Sequence, residues 1–302
     1  MDYILTTQNL TKTYGNKNAA NAVNLHVKKG EVYGLIGRNG AGKTTILKMI
    51  SGLSAPTSGS FTFMGKTGKE LTSVKHKIGA LIENPGLYLK MTAFQNVKLK
   101  CLSMGIKDDA YVKDLIQQVG LHDVENKPVQ NFSLGMKQRL GIAIALVGDP
   151  ELIILDEPIN GLDPQGIVEM REIIGNMSKE KGMTVIVSSH ILAELAIVAD
   201  SFGIIHEGKL LDEFTAQQLN ERCSKYTRIQ VSDTEKASAV LKKLNIEKFD
   251  VNENIIKVYS EIEDTSEVIQ ALVYDNLKVY ELSVVPSSLE EYYLANTGGS
   301  EE

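Results

Sequence analysis

The chain has 302 residues, 43% of them hydrophobic and 23% charged, with 7 prolines. That excludes a wholly disordered chain and leaves room for one large domain and a small one. A formal net charge of -6 argues against a nucleic-acid binder, which carries a basic patch or stripe.

The opening segment, MDYILTTQNLTKTYG, has no basic region followed by a long apolar stretch, so no secretory signal is expected. No run approaches the roughly 18 apolar residues that span a bilayer. From residue 31 onward, short apolar runs alternate with longer helical patterns, the sign of an α/β fold. EVYGLIG (31–37) reads as a buried strand and KTTILKMISGL (43–53) as the helix after it. Turn signals follow at 54–60, then a strand at 77–83. Residues 84–127 read as mostly helical, and 133–150 as a helix opening at Ser133 and stopping before Pro150, so a helical subdomain is expected at about 84–148. ELIILDEP (151–158) and MTVIVSSH (183–190) are two more apolar strands with polar C-terminal tips, where open α/β sheets put their ligands. After about residue 220 the pattern changes. Strands at 227–231, 254–259 and 277–284, with helices at 234–244 and 265–275, predict a small α+β domain over 221–302, for interaction or regulation. Cys101 and Cys223 lie far apart without metal-like spacing and read as reduced thiols.

Two constellations carry chemistry. Gly37-Arg38-Asn39-Gly40-Ala41-Gly42-Lys43-Thr44 fits the phosphate-loop pattern between a strand and a helix. Its glycines let successive N–H groups point at phosphate oxygens, and the helix N-terminus adds positive potential. Lys43 can reach the β- and γ-phosphates, and the Thr44 hydroxyl can ligate Mg²⁺. The strand at 152–155 ends in Asp156-Glu157. The first acid suits a Mg²⁺ ligand and the second can deprotonate an attacking water. Two neighbouring acids alone are more often a solvated turn; the phosphate loop reverses that reading.

These residues, in this order, resemble the ABC ATPase family. Walker A falls at 37–44, Walker B at 152–156 with Glu157 behind it, and the D-loop at Gly161-Leu162-Asp163. Ser133-Leu134-Gly135-Met136 resembles the signature Leu-Ser-Gly-Gly-Gln, with Phe132, Leu134 and Met136 departing from it. The resemblance implies an ABC-type phosphate-loop cassette over 1–220 that binds ATP and Mg²⁺. Its nucleotide-binding residues would be Tyr14, stacking on adenine, with Gly37, Arg38, Asn39, Gly40, Ala41, Gly42, Lys43, Thr44 and Thr45. Lys43, Glu157 and His190 would be catalytic, Glu157 as general base and His190 as the switch histidine. Thr44, Asp156 and Glu83 would face the metal. Ser133, Leu134, Gly135 and Met136 would meet the ATP of a second ATPase subunit.

Where the family carries a glutamine that senses Mg²⁺ and the membrane partner, this chain has Glu83. With the Ser-Leu-Gly-Met-Lys signature, that glutamate resembles the branch exporting bacitracin-like and lantibiotic peptides. The implied protein is a transport motor at the cytoplasmic face of the membrane, bound to membrane-spanning permease subunits through Glu83 and the loop to Lys90. Whether the second ATPase subunit is identical, and what is transported, stay open. A phosphate-loop kinase is disfavoured by the signature and D-loop. A chromosome-organising or DNA-repair ATPase would insert long coiled coils between Lys43 and Ser133, and no heptad pattern lies there.

Overall fold

A computed structural model describes residues 3–121, 124, 127–222, 226–260, 262 and 264–285; Cys223 lies outside the described residues. The chain divides into two compact units, Met1–Ala216 and Gln217–Glu302. The first opens with β1 (Tyr3–Tyr14), β2 (Lys17–Val23), β3 (His26–Lys28) and β4 (Val32–Ile36). It continues through α1 (Lys43–Ile50), β5 (Ser58–Phe63), β6 (Lys66–Thr67), β7 (Ile78–Leu81), α2 (Ala93–Ser103), α3 (Asp109–Gln118) and α4 (Leu134–Ala145). Then come β8 (Leu152–Asp156), α5 (Pro164–Lys179), β9 (Thr184–Ser189), α6 (Leu192–Val198), β10 (Ser201–His206), β11 (Lys209–Thr215) and α7 (Ala216–Arg222), which crosses the unit boundary.

The central sheet has the order β11-β10-β4-β9-β8-β7. Its pairs are parallel except for β11, which runs antiparallel at the edge. β8 and β9 are buried at every position, which a sheet covered on both faces requires and which replaces alternation by continuous apolar runs. One face turns Tyr33, Leu35, Leu152, Ile154, Ile186 and Ile205 into a core shared with α1 and the second, antiparallel sheet of β2-β1-β5-β6 with β3 on β1. Each such side chain contributes about 1.5–3 kcal/mol relative to exposure. Glu213 of β11 ties the two sheets. It accepts hydrogen bonds from the His26 amide at 2.9 Å and the Tyr33 hydroxyl at 2.7 Å, and its other oxygen lies 2.7 Å from His26 Nδ1. Burial, and then the Glu213 charge, push the Tyr33 phenol well above its usual pKa.

Several expected boundaries move for local reasons. α1 stops at Ile50 because Gly52, at φ +79°, turns the chain. α4 stops at Ala145 because Gly148 and Asp149 both take positive φ before Pro150. Residues 84–92, read as helical, form a loop folded around buried Asn96. The Asn96 side chain accepts from the Tyr88 amide and donates to the carbonyls of Tyr88 and Thr92. Helices α2, α3 and α4 pack on one another beside β7.

The second unit runs β12 (Tyr226–Val231), α8 (Thr234–Lys243), β13 (Phe249–Asn252), β14 (Ile255–Val258), α9 (Thr265–Tyr274), β15 (Val279–Val285). Its antiparallel sheet has the order β13-β14-β12-β15, the split βαβ arrangement of ferredoxin-like domains. Ile229, Val231, Leu241, Ile256, Val258 and Leu272 are its fully covered centre.

Gly79 of β7 seats α4. A Cβ there would stand 2.1 Å from the Ala145 carbonyl oxygen and 3.2 Å from Pro150, and backbone cannot swing away as a side chain can. Gly79→Ala is therefore expected to destabilise the protein by about 1–3 kcal/mol, read as a lower midpoint in thermal unfolding. An unchanged midpoint would mean that α4 does not press on β7.

Candidate functional site

The parallel register sets strand tips in one row. Ile36 pairs with Ser189 and Ile204, and Asp156 pairs with Ser188. The chain leaves β4 into the glycine-rich loop, where Gly40 and Gly42 take φ of +79° and +109°. A Cβ on Gly42 would lie 2.2 Å from the Ala19 carbonyl oxygen and 3.3 Å from Gly208 Cα. The loop is thus wedged between β2 and the β10–β11 turn. The Gly208 amide donates to the Ala41 carbonyl, and the Asn21 amide to the Gly208 carbonyl.

Gly42 also stands at the N-cap of α1 and brings no side chain to it, whereas Thr92, Ser133 and Asp163 cap α2, α4 and α5 with their oxygens. The orphan amides of the first turn of α1 are left for a ligand, backed by the positive end of the helix dipole. They border a cavity of about 800 Å³ lined by Arg38, Asn39, Gly40, Ala41, Gly42, Lys43, Thr44 and Thr45. Its other walls are Lys17, Asn18, Ala19, Glu157, His206, Glu207 and Gly208.

Lys43 is only 5% exposed, and a buried ammonium needs partners. It donates to the carbonyls of Gly37 at 2.6 Å and Arg38 at 3.3 Å, and lies 3.1 Å from Glu157 Oε1. Glu157 holds φ +51°, a left-handed backbone that costs a non-glycine residue energy and marks functional turns. Its other carboxylate oxygen is 2.7 Å from His190 Nδ1, which puts the imidazole proton on that nitrogen when the carboxylate accepts. Ser188, fully buried, donates to Asp156 Oδ1 at 2.6 Å and accepts from the Glu157 amide at 3.0 Å. Lys43, Asp156, Glu157, Ser188 and His190 form one connected polar cluster. The Thr44 hydroxyl and the Asp156 carboxylate are hard oxygen donors, the class that suits Mg²⁺, which takes one or two protein oxygens with phosphate and water.

Other expected site residues stand apart from this cluster. Tyr14 ends β1, 55% exposed, with the Lys12 ammonium 5.2 Å from its ring centroid; its strand partner across the hairpin turn is the cavity-lining Lys17. Glu83 pairs with Lys48 at 2.6 Å. Ser133, Leu134, Gly135 and Met136 join Gly161, Leu162 and Asp163 in a second group. Leu134 Cδ2 comes to 3.1 Å of where a Gly161 Cβ would be, and Leu162 Cδ2 to 3.6 Å of that of Gly135. Ser133 Oγ accepts from the Met136 amide at 3.2 Å, and Asp163 Oδ1 from the Gly166 amide at 3.0 Å.

Ser188, Lys48 and the walls at 17–19 and 206–208 carry no local motif. Ser188-Ser189 was the visible clue: two hydroxyls at the tip of an otherwise apolar, buried strand have to bond something.

The family model described as ABC transporter matches residues 20–160. The bacitracin transport ATP-binding protein BcrA of Enterococcus faecalis is 40% identical over 301 residues, covering 99% of this chain and 98% of the relative. This chain belongs to the ABC transporter ATP-binding proteins. The lantibiotic transport ATP-binding protein SrtF of Streptococcus pyogenes is 49% identical over 210 residues, 70% of this chain and 90% of the relative. A dimeric ATP-binding cassette in a post-hydrolysis state bound to ADP and Pi superposes with a TM-score of 0.63 at 26% identity, covering 70% of this chain and 98% of that one. The ABC protein is an ATPase subunit of a transporter with the mixed α/β cassette fold, as its motif order implies. Among the described residues, no helix is long and apolar enough to cross a membrane.

Ser188→Ala removes the shared partner of Asp156 and the Glu157 amide. Groups that orient a metal-facing ligand are worth about 10–100-fold in activity, so steady-state ATP hydrolysis is expected to fall by about tenfold or more. Wild-type turnover in this variant would show that the strand tips orient the acids unaided.

Proposed function

We propose that this ABC subunit powers export of a peptide antibiotic of the bacitracin or lantibiotic class. The observation that carries the reading is the 40% identity with a bacitracin transport ATP-binding protein across nearly both whole chains. Glu83 in place of the family's glutamine supports it. The subunit would act at the cytoplasmic face of the membrane, docked through Glu83 and the following loop on membrane-spanning permease subunits.

In this reading ATP enters the cavity with its phosphates on the amides of 40–45 and its adenine toward Tyr14. Thr44 and Asp156 would hold Mg²⁺, with Glu83 on its side of the site. When bound, the ion would supply positive charge to the phosphates. Lys43 exchanges its Glu157 partner for phosphate oxygens, freeing Oε1 of the carboxylate to take the proton of the attacking water. His190 holds the other oxygen and fixes the aim of the base. The signature and D-loop group is separate from the cavity residues, so one chain supplies half of each site. Two subunits would then pair head to tail, with Ser133 and Gly135 of one, at the positive N-terminal end of α4, against the γ-phosphate held by the other.

Glu157→Gln keeps the shape and removes the base. It is expected to bind ATP normally, to hydrolyse it at least about a hundredfold more slowly, and to accumulate as a dimer in size-exclusion chromatography. Hydrolysis at the wild-type rate would sink the base assignment.

The transport reading is tested by expressing the chain with its permease subunits in a strain sensitive to both antibiotic classes. Protection against bacitracin or a lantibiotic, lost in Glu157→Gln, is the expected result. Permease-stimulated ATPase activity without protection against either class would leave a transporter motor and overturn the substrate.

A further inference from the structure

Glu83 puts a carboxylate where the family has a neutral glutamine, two residues past Leu81, the strand partner of Leu155 beside Asp156, at the edge of a site built for polyphosphate. Charges of one sign gathered in one place oppose an incoming anion, so the substitution calls for compensation. Lys48 answers it from α1, five positions after Lys43. Its Nζ lies 2.6 Å from Glu83 Oε1, across 35 residues of sequence. The hydrogen bond that Lys48 donates to Glu83 raises the Lys48 pKa against a smaller effect of desolvation, and the charges of Glu83, Tyr14 and Asp156 add to the rise. The ammonium therefore stands within electrostatic reach of both Glu83 and Asp156.

The pair does little for the fold. The side chains are 32% and 61% exposed, and exposed ion pairs contribute little to stability. Glu83 is also held at φ +60°, in a turn that presents the carboxylate rather than letting it drift with an extended strand. A specific, close, outward-facing pair beside the phosphate cradle is poised to adjust charge.

We infer that Lys48 is the counter-charge of Glu83, a positioning residue that neutralises this carboxylate so that Mg·ATP enters without opposing a third acid. The inference rests on the reading that the cavity takes Mg·ATP, and adds a residue outside the family motifs.

The test is a fluorescence titration with N-methylanthraniloyl-ATP, in Mg²⁺ and in EDTA, on wild type, Lys48→Met, Glu83→Gln and the double variant. Lys48→Met is expected to weaken binding about fivefold at low ionic strength, with the loss shrinking in about 0.5 M salt. In the Glu83→Gln background the same change is expected to have no effect beyond about twofold, and Lys48→Arg should bind like wild type. Thermal midpoints should be equal across the set, separating the effect from misfolding. An equal loss in both backgrounds would mean that Lys48 acts on the nucleotide by itself, and no loss in either would remove its role; both overturn the inference while leaving the ATP site intact. Wild type that binds the analogue in neither condition would bring down the nucleotide reading and the inference together.

Discussion

Parallel pairing of β4, β8, β9 and β10 is the constraint on which the remainder depends. Parallel neighbours end on the same side, so four chain segments distant in sequence deliver their last residues to one edge. The pairing of Asp156 with Ser188 and of Ile36 with Ser189 decides which side chains can touch there. A slip of one residue would turn Asp156 into the apolar interior. The continuous burial of β8 and β9 holds the register, because both faces of each strand are matched to a covering layer. Apolar residues that do no chemistry thereby set distances between residues that do.

At that edge the costly object is a buried ammonium. Lys43 is buried with two carbonyls and a carboxylate around it. The acid that helps satisfy the lysine is Glu157, whose backbone is strained and whose other oxygen is taken by His190. The cluster is thus complete within the protein yet assembled from exchangeable contacts.

The chemistry-bearing parts were legible because each is local. The glycine-rich loop, the paired acids after an apolar strand and the histidine at the next tip are read within windows of a few residues. Much of the mixed sheet was legible for the same reason: strands such as 152–156 are uninterrupted apolar runs. The antiparallel sheet was not. β1 is rich in threonine and changes register against β2 and β5, which breaks the two-residue alternation that betrays a half-buried strand. β10 and β11 escaped too, and β13 is short, with Asp250 to Asn252 exposed. α4 looked longer than it is because the apolar pattern runs on past the point where Gly148 turns the backbone. Contacts between distant segments, such as Lys48 with Glu83, leave no trace in a single sequence, since each residue alone reads as an ordinary surface charge.

The contact of Leu134 with Gly161, and of Leu162 with Gly135, has a mechanical side. The first turn of α4 and the loop leading into α5 are interlocked by a leucine from either side. Displacing one would drag the other, so an arriving neighbour would meet one edge rather than two independent ones.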